Sequence, residues 1–349
     1  MGRKPITLCL TDTHASDNNL NLQESIWVQA VELCKKLKIK RIRHLGDFVH
    51  TRKSQSLAVL KHLLWIRSYL KDEGIDFLGI TGNHDRTNLE SSFSYPTLLG
   101  DKGFDIVDIF KVEIIGNIRI SHLSYFPEEG SYKEKLLSLI ATLEKDSDKY
   151  FDILHTHIGI SGGLSHKNAT INKEIPIQCF EFFDRVNSGH YHNANELEND
   201  FGTSINYIGS SHATNYGEDN NKGFTIIYDD GSIEFINSEF PKFETIDVDV
   251  SEISGKWLSN TKKHIASSGN NVRLIVSGDE SDLKKLKKQK FSDIGIKKVI
   301  RKNDNVSIES VDDTVAFVSL DKKAALKEYR KFCINQEIDP SFGLGYLEG

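Results

Sequence analysis

The chain has little cysteine. Its four cysteines, Cys9, Cys34, Cys179 and Cys333, show no Cys-x-x-Cys spacing, which argues against a structural zinc knot or a disulfide framework in 349 residues. Reduced, mostly buried thiols are the expectation. Long apolar runs are missing too, since no stretch approaches the ~18 residues a membrane span needs. The short apolar run within Met1–Leu10 does not suffice for a secretory signal, and Ile6 stands where a myristoylation signal wants Ser or Thr. A cytoplasmic protein with no membrane association is expected. With 6 prolines and 25 glycines the sequence is neither collagenous nor low-complexity, and its 38% hydrophobic content can supply a core. Positive charge is in deficit: 44 Lys and Arg face 50 Asp and Glu, a net charge of −6. No global positive field draws in nucleic acid, so an anionic substrate needs local help.

What is present in quantity is histidine, with thirteen residues, several in short clusters with Asp and Asn. Their setting is an alternation of apolar β-type runs and helical patterns. Strands are expected at Ile6–Leu10, Arg41–Leu45 and Asp76–Ile80, with helices at Gln23–Leu37 and Leu57–Lys71 between them. From Ile106 the runs shorten, at Ile106–Phe110, Val112–Ile115, Ile118–His122, Ile153–His157, Arg185–Gly189, Ile205–Gly209, Phe224–Tyr228 and Ser232–Ile236, with a hairpin turn at Asp229-Asp230-Gly231. Two packed sheets flanked by helices follow. Near residue 242 the composition changes, and a small α+β unit is expected: strands Val272–Val276 and Gly295–Arg301, helices Ser281–Lys290 and Lys322–Ile338. The expected division is 1–241 and 242–349.

The polar clusters are Asp12-Thr13-His14, Gly46-Asp47, Gly82-Asn83-His84-Asp85, His155-Thr156-His157 and Gly189-His190-Tyr191-His192. Each falls at or just past the C-terminal end of an expected strand, where open α/β sheets bind ligands. Taken singly they are weak signals: Asp-x-His is an ordinary turn with a surface histidine, and His-x-His on one strand face equally suits a wet edge. Together they offer imidazole nitrogen with carboxylate and amide oxygen, the donors that divalent transition metals take. That is enough for two ions with positions left open for water and substrate.

This ordered set resembles the calcineurin-like metallophosphoesterase family, whose pattern is Asp-x-His, Gly-Asp, Gly-Asn-His-(Asp/Glu), a His, then Gly-His-x-His; it spans residues 12 to 192. The resemblance implies a four-layer αββα sandwich, here with a small α+β C-terminal capping domain. It also implies two metals: Asp12, His14 and His192 hold one, Asn83, His157 and His190 the other, and Asp47 bridges them. A bridging carboxylate offsets the repulsion of two dications about 3.5–4 Å apart, and a water between them is acidified for in-line attack on phosphorus. His157 is preferred to His155 because an apolar, Gly-rich segment follows it. His84 resembles the family's non-ligand histidine, suited to protonating the leaving oxygen, with Asp85 expected to orient its ring. His44 and His122 lie within strands and read as interior or edge residues. Manganese is favoured by the analogy, and Fe2+, Zn2+ and Mg2+ are open.

Within that family, Gly46-Asp47-Phe48-Val49-His50 departs from the protein-phosphatase pattern and resembles the DNA double-strand-break repair nucleases: SbcD-like enzymes and the recombination endonuclease subunits of large phages. Tyr207-Ile208-Gly209-Ser210-Ser211, then Gly217-Glu218 and Lys222-Gly223-Phe224, are similar to the stretch closing the nuclease core there. By this resemblance the chain is a two-metal DNA exo- or endonuclease of break processing or recombination, a hydrolase partnered by an SbcC-type coiled-coil ATPase, with a homodimer allowed and the host cytoplasm as the location if phage-encoded. His50 becomes an extra catalytic residue, and Arg52, Lys53, Lys284, Lys287 and Lys288 become candidate DNA contacts. The helix expected at Lys322–Ile338 is a candidate docking element for the ATPase or simply packs on its own unit. The competing readings are another phosphodiesterase of the same fold acting on cyclic or small nucleotides, and a non-catalytic DNA-end-binding scaffold.

Overall fold

The computed structural model describes residues 2–303 apart from 92, 102, 147, 163–173, 198 and 287. In chain order its elements are β1 (Pro5–Leu10), α1 (Leu20–Leu37), β2 (Arg41–Leu45), α2 (Leu57–Asp72), β3 (Asp76–Ile80), β4 (Phe104–Val107), β5 (Phe110–Ile115), β6 (Ile118–Leu123), α3 (Tyr132–Leu143), β7 (Phe151–His157), β8 (Arg185–Gly189), β9 (Asn195–Leu197), β10 (Ser204–Tyr207), β11 (Gly223–Tyr228) and β12 (Ile233–Asn237). A smaller unit follows, with β13 (Phe243–Asp249), α4 (Gly255–Ser268), β14 (Asn271–Gly278), α5 (Glu280–Lys285), α6 (Lys288–Ser292) and β15 (Lys298–Asn303).

Two six-stranded sheets, ordered β12-β11-β1-β2-β3-β4 and β5-β6-β7-β8-β10-β9, make the larger body. The strands β1 to β4 run parallel in the first, as do β6, β7, β8 and β10 in the second, and the remaining strands close the edges antiparallel. Alternation along each strand sorts side chains into layers. Leu8, Leu10, Ile42 and Phe77 face out against Ile26, Trp27, Leu63 and Ile66 of α1 and α2. Cys9, Leu45, Leu78 and Ile80 face in and meet Ile118, Ile120 and Ile153 of the second sheet. On the far side Leu123, Leu154 and Val186 pack on Leu136 and Leu139 of α3. The result is an αββα sandwich.

Local sequence explains the helices that frame it. In α1 the buried Ile26, Trp27, Ala30, Val31 and Cys34 share one face, and the helix ends where Lys38 turns left-handed (φ 59) and Ile39 N–H closes on the Cys34 carbonyl at 2.9 Å. In α2 the Ser56 hydroxyl caps the N-terminus by accepting from Val59 N–H at 3.1 Å. Among the described residues no helix is long and apolar enough to cross a membrane. Cys9 and Cys34 are buried, and Cys9, Cys34 and Cys179 are free thiols.

The smaller unit is a parallel β13-β14-β15 sheet with its own core of Val248, Leu258, Val272, Leu274, Val276, Leu283, Phe291 and Ile296. Two expectations are corrected here. The helix expected at Ser281–Lys290 is split into α5 and α6, because Leu286 turns extended (φ −67, ψ 122). Its carbonyl accepts from Arg301 Nη2 at 2.7 Å instead of a helical donor. The strand expected from Gly295 begins at Lys298, since Gly295 (φ 93) ends the preceding turn. Beyond these, α3, α4 and β13 were not anticipated, and Lys322–Ile338 lies outside the described residues.

A buried ion pair ties the two sheets together. Arg43 on β2 grips Glu113 on β5 through Nε at 2.8 Å and Nη2 at 2.7 Å, and His122 Nε2 lies 2.9 Å from the same carboxylate. Removing one partner of such a pair strands a buried charge, so Arg43→Met should destabilise the fold by about 3–5 kcal/mol in urea unfolding, and a loss below about 1 kcal/mol would contradict this. Against burial, Arg43 and His122 hold the Glu113 carboxyl well below its ordinary value of 4.5. The unfolded state therefore takes the proton first, so this contribution is complete above pH 4.5 and fades as pH falls further. The stability curves of the wild type and Arg43→Met should converge on acidification through that window.

Candidate metal centre

The polar clusters meet where the parallel strands of both sheets end. Past β1 and β2 the chain stays paired for several residues: Asp12 N–H donates to the Gly46 carbonyl at 3.0 Å, His14 N–H to that of Asp47 at 3.0 Å and Ala15 N–H to that of Phe48 at 2.8 Å. Left-handed backbone sets the side-chain directions. Among the described non-glycine residues, positive φ occurs at Asp12 (51), His14 (49), Asp47 (58) and His190 (83), and otherwise only at Lys38, which ends α1. Such conformations cost about 1–3 kcal/mol each and persist where surrounding structure enforces them. Gly82 is required by space, since a Cβ there would strike the Asp47 carboxylate.

Two overlapping groups of donors result, with Asp47 common to both. In the first, His14 Nε2 lies 3.7 Å from Asp12 Oδ1, 3.6 Å from Asp47 Oδ2 and 3.0 Å from His192 Nε2, and His192 Nε2 lies 3.7 Å from Asp12 Oδ1. In the second, His157 Nε2 is 3.4 Å from Asp47 Oδ2 and 3.2 Å from Asn83 Oδ1, and His190 Nδ1 is 3.1 Å from the same amide oxygen. Asp12, His14 and His192 converge within 4.8 Å, as do Asp12, Asp47 and His157, and as do His14, Asp47 and His84.

The electrostatics of these groups ask for cations. Asp12 Oδ1 is buried without a hydrogen-bond partner, an expensive state for a carboxylate oxygen. Burial pushes the Asp12 carboxyl up, drives His14 well below its ordinary value and takes His190 to about 3, so the imidazoles present lone pairs. Against burial, Asp47 and then Asp12 raise His157 to about 9, while His157 and His14 hold Asp47 low. In effect His157 is asked to supply positive charge that a bound dication would provide. The mixed imidazole, carboxylate and amide donors fit two such ions. His157 Nδ1 donates to the Leu45 carbonyl at 2.7 Å, which leaves Nε2 facing the centre.

His155 stands apart, its Nε2 4.0 Å from Cys9 Sγ and its ring edge-on to His122. His84 is half-buried at the rim: its N–H donates to Asp47 Oδ1 at 2.8 Å, its Nδ1 lies 2.5 Å from the His50 carbonyl, and its ring is 4.8 Å from that of His14. His50 is exposed, its ring 5.7 Å from His14 and 6.0 Å from His84. The expectation that Asp85 orients the His84 ring is corrected. Asp85 Oδ2 accepts from Asp47 N–H at 2.9 Å and Gly82 N–H at 2.8 Å, and Oδ1 from Phe48 N–H at 2.8 Å and Val49 N–H at 3.2 Å. It therefore braces the backbone that carries Asp47, while the His50 carbonyl holds the His84 ring.

Among the expected DNA contacts, Arg52 and Lys53 are exposed just beyond His50. Lys284 is 72% exposed but paired with Glu280 at 2.5 Å, and so is partly neutralised. Lys287 lies outside the described residues, and Lys288 is placed only as the start of α6. One side chain to which the motif reading assigned no role in the site is Glu218, whose Oε1 lies 2.9 Å from His192 Nδ1. Its sequence signal was the Gly217-Glu218 pair in the stretch that resembles the close of the nuclease core, which does not report the contact with His192. A groove of about 870 Å³, lined by His14, Asn18, His50, His212, Phe243 and Asn271 among others, opens beside the centre.

No protein-family model matches the sequence, nor does any curated protein sequence. Solved structures similar to the chain include a dimetal phosphatase from Danio rerio, 15% identical, with a TM-score of 0.48 over 64% of this chain and 93% of that one. Another is the protein TT1561 of Thermus thermophilus, 9% identical, with a TM-score of 0.43 over 67% of this chain and 99% of that one. A third is the nuclease MPE of Pseudomonas putida, 13% identical, with a TM-score of 0.28 over 64% of this chain and 84% of that one.

Asp85 fills all its acceptor positions with backbone donors, a pattern that only a carboxylate satisfies. Asp85→Asn turns an amide N–H toward two of those donors and should cost about 3 kcal/mol of stability by thermal or urea unfolding. Unchanged stability with reduced turnover would instead return Asp85 to a role in orienting His84.

Proposed function

We propose that the chain is a two-metal-dependent phosphodiesterase that hydrolyses DNA in break processing or recombination, partnered by an SbcC-type ATPase. The observation that carries the chemistry is the Asp47 carboxylate shared between the two groups of donors, with Oδ2 3.6 Å from His14 Nε2 and 3.4 Å from His157 Nε2. Asp12, His14 and His192 would hold one ion, Asn83, His157 and His190 the other, and Asp47 both. When bound, two dications, Mn2+ on the family analogy, supply charge neutralisation for a phosphodiester and an acidified water for hydrolysis.

The chain's own residues supply the rest. His84 sits beside Asp47 at the rim, where a substrate phosphate meets the centre. Its Nδ1 is engaged by the His50 carbonyl, which leaves Nε2 as the ring atom that would pass a proton to the leaving oxygen. The backbone of His50 thus aims the acid, while its exposed ring flanks the approach. His14 and His50 also line the adjacent groove, which gives an extended substrate a path away from the scissile bond. Arg52 and Lys53, next along the loop and exposed, would contact the phosphodiester backbone. The DNA assignment draws on the Gly46-Asp47-Phe48-Val49-His50 motif and on this open groove. The ATPase partner rests on the motif resemblance alone.

Purified protein in Mn2+ should hydrolyse both bis-p-nitrophenyl phosphate and linear duplex DNA, the latter more strongly once the ATPase is added. Hydrolysis of the small diester with DNA left intact, even with the ATPase present, would move the substrate to cyclic or small nucleotides. Absence of both activities would favour an end-binding scaffold. His84→Ala should keep Mn2+ binding and lower kcat about 10²–10⁴-fold. Asp47→Ala should lose Mn2+ binding along with turnover, and retained turnover in either variant contradicts the roles given to them.

A further inference from the structure

The Glu218 side chain is wholly buried, as is that of Lys222, and the two lie 3.2 Å apart. Together they straddle His192. Glu218 Oε1 accepts from His192 Nδ1–H at 2.9 Å, and Lys222 Nζ donates to the His192 carbonyl at 2.6 Å. Both are held in turn. Asn215 Nδ2 donates to Glu218 Oε1 at 2.8 Å, the Thr214 hydroxyl donates to the same oxygen, and Lys222 Nζ also reaches Asn193 Oδ1 at 2.9 Å. Lys222 immediately precedes β11, the strand paired with β1, whose end carries Asp12.

A buried Lys–Glu pair is a poor stabiliser in itself, because desolvation offsets most of its Coulomb attraction. Its geometry here has a sharper consequence. A carboxylate on Nδ1 fixes the tautomer with hydrogen on Nδ1 and the lone pair on Nε2, the atom 3.0 Å from His14 Nε2 and 3.7 Å from Asp12 Oδ1. The other imidazoles are backed differently: His157 Nδ1 rests on the neutral Leu45 carbonyl, and His14 Nδ1 is buried with no hydrogen-bond partner. The half of the centre containing Asp12 and His192 thus combines its own carboxylate with a carboxylate-backed imidazole. The other half relies on the Asn83 amide.

We propose that Glu218 is a positioning residue for the ion held by Asp12, His14 and His192, fixing the His192 ring and its tautomer, with Lys222 neutralising its charge and pinning the His192 backbone. This rests on the two-metal reading. The test uses the full chain, stripped of metal by chelation and titrated with Mn2+ at constant pH, following free Mn2+ by electron paramagnetic resonance. The wild type should bind two ions. Glu218→Ala should weaken one of them about 10–100-fold and leave the other nearly unchanged. Glu218→Gln, which keeps an oxygen for Nδ1 but removes the charge, should show a smaller loss. A second readout needs no metal: in ¹⁵N-histidine spectra of the stripped protein, His192 should be protonated at Nδ1 in the wild type and in Glu218→Gln. In Glu218→Ala it should exchange between tautomers. If the folded variants bind both ions as the wild type does, or the tautomer is unchanged in all three, Glu218 is structural only and the proposal fails. A wild type that binds no Mn2+ overturns the two-metal reading and this proposal with it, a result distinct from normal wild-type binding with indifferent variants.

Discussion

The site is organised around one carboxylate. Asp47 sits in left-handed backbone (φ 58) between the two sheets, its Oδ1 fixed by His84 N–H at 2.8 Å and its Oδ2 turned toward His14 and His157. Nothing in that position is relaxed. The backbone is held by Asp85, the space beside the carboxylate exists because residue 82 is glycine, and the donors around it come from strands of both sheets. A carboxylate so constrained between two sets of imidazole, carboxylate and amide donors is matched to a pair of cations, and poorly matched to remaining without them.

The sandwich is the means of bringing those donors together. Asp12, Asp47 and Asn83 hang from one sheet, His157 and His190 from the other, so the centre exists only if the sheets are held in register. The inner apolar layer supplies most of the adhesion, and the Arg43–Glu113 pair supplies a directional tie between β2 and β5. Backbone strain, buried carboxylates and an orphaned Asp12 oxygen all collect at the strand ends. The stabilising apolar contacts lie behind them. This division of labour suits a site whose folded form costs energy locally and is supported globally.

Much of this was legible in the sequence because strand-end chemistry is local. The runs Arg41–Leu45, Asp76–Ile80 and Arg185–Gly189 coincide with β2, β3 and β8, and each is followed at once by the polar residues that the fold gathers. What was not legible depends on contacts far along the chain. Asp85 follows His84, which suggested that it served that ring; its four donors come from the turns after β2 and β3, and no spacing rule reports that. Glu218 serves His192 across 26 residues of loop and strand. The helix α4 was missed because its polar composition leaves only Leu258 and Thr261 buried, and the α5–α6 break turns on a single extended residue, Leu286.

The central claim is that Asp47 is shared by two metal ions, and anomalous diffraction from Mn2+-soaked crystals tests it directly. The account predicts two peaks per chain about 3.5–4 Å apart, one among Asp12, His14 and His192 and the other among Asn83, His157 and His190, each in contact with Asp47. A single peak, or a pair of which one lies out of reach of the Asp47 carboxylate, would contradict it.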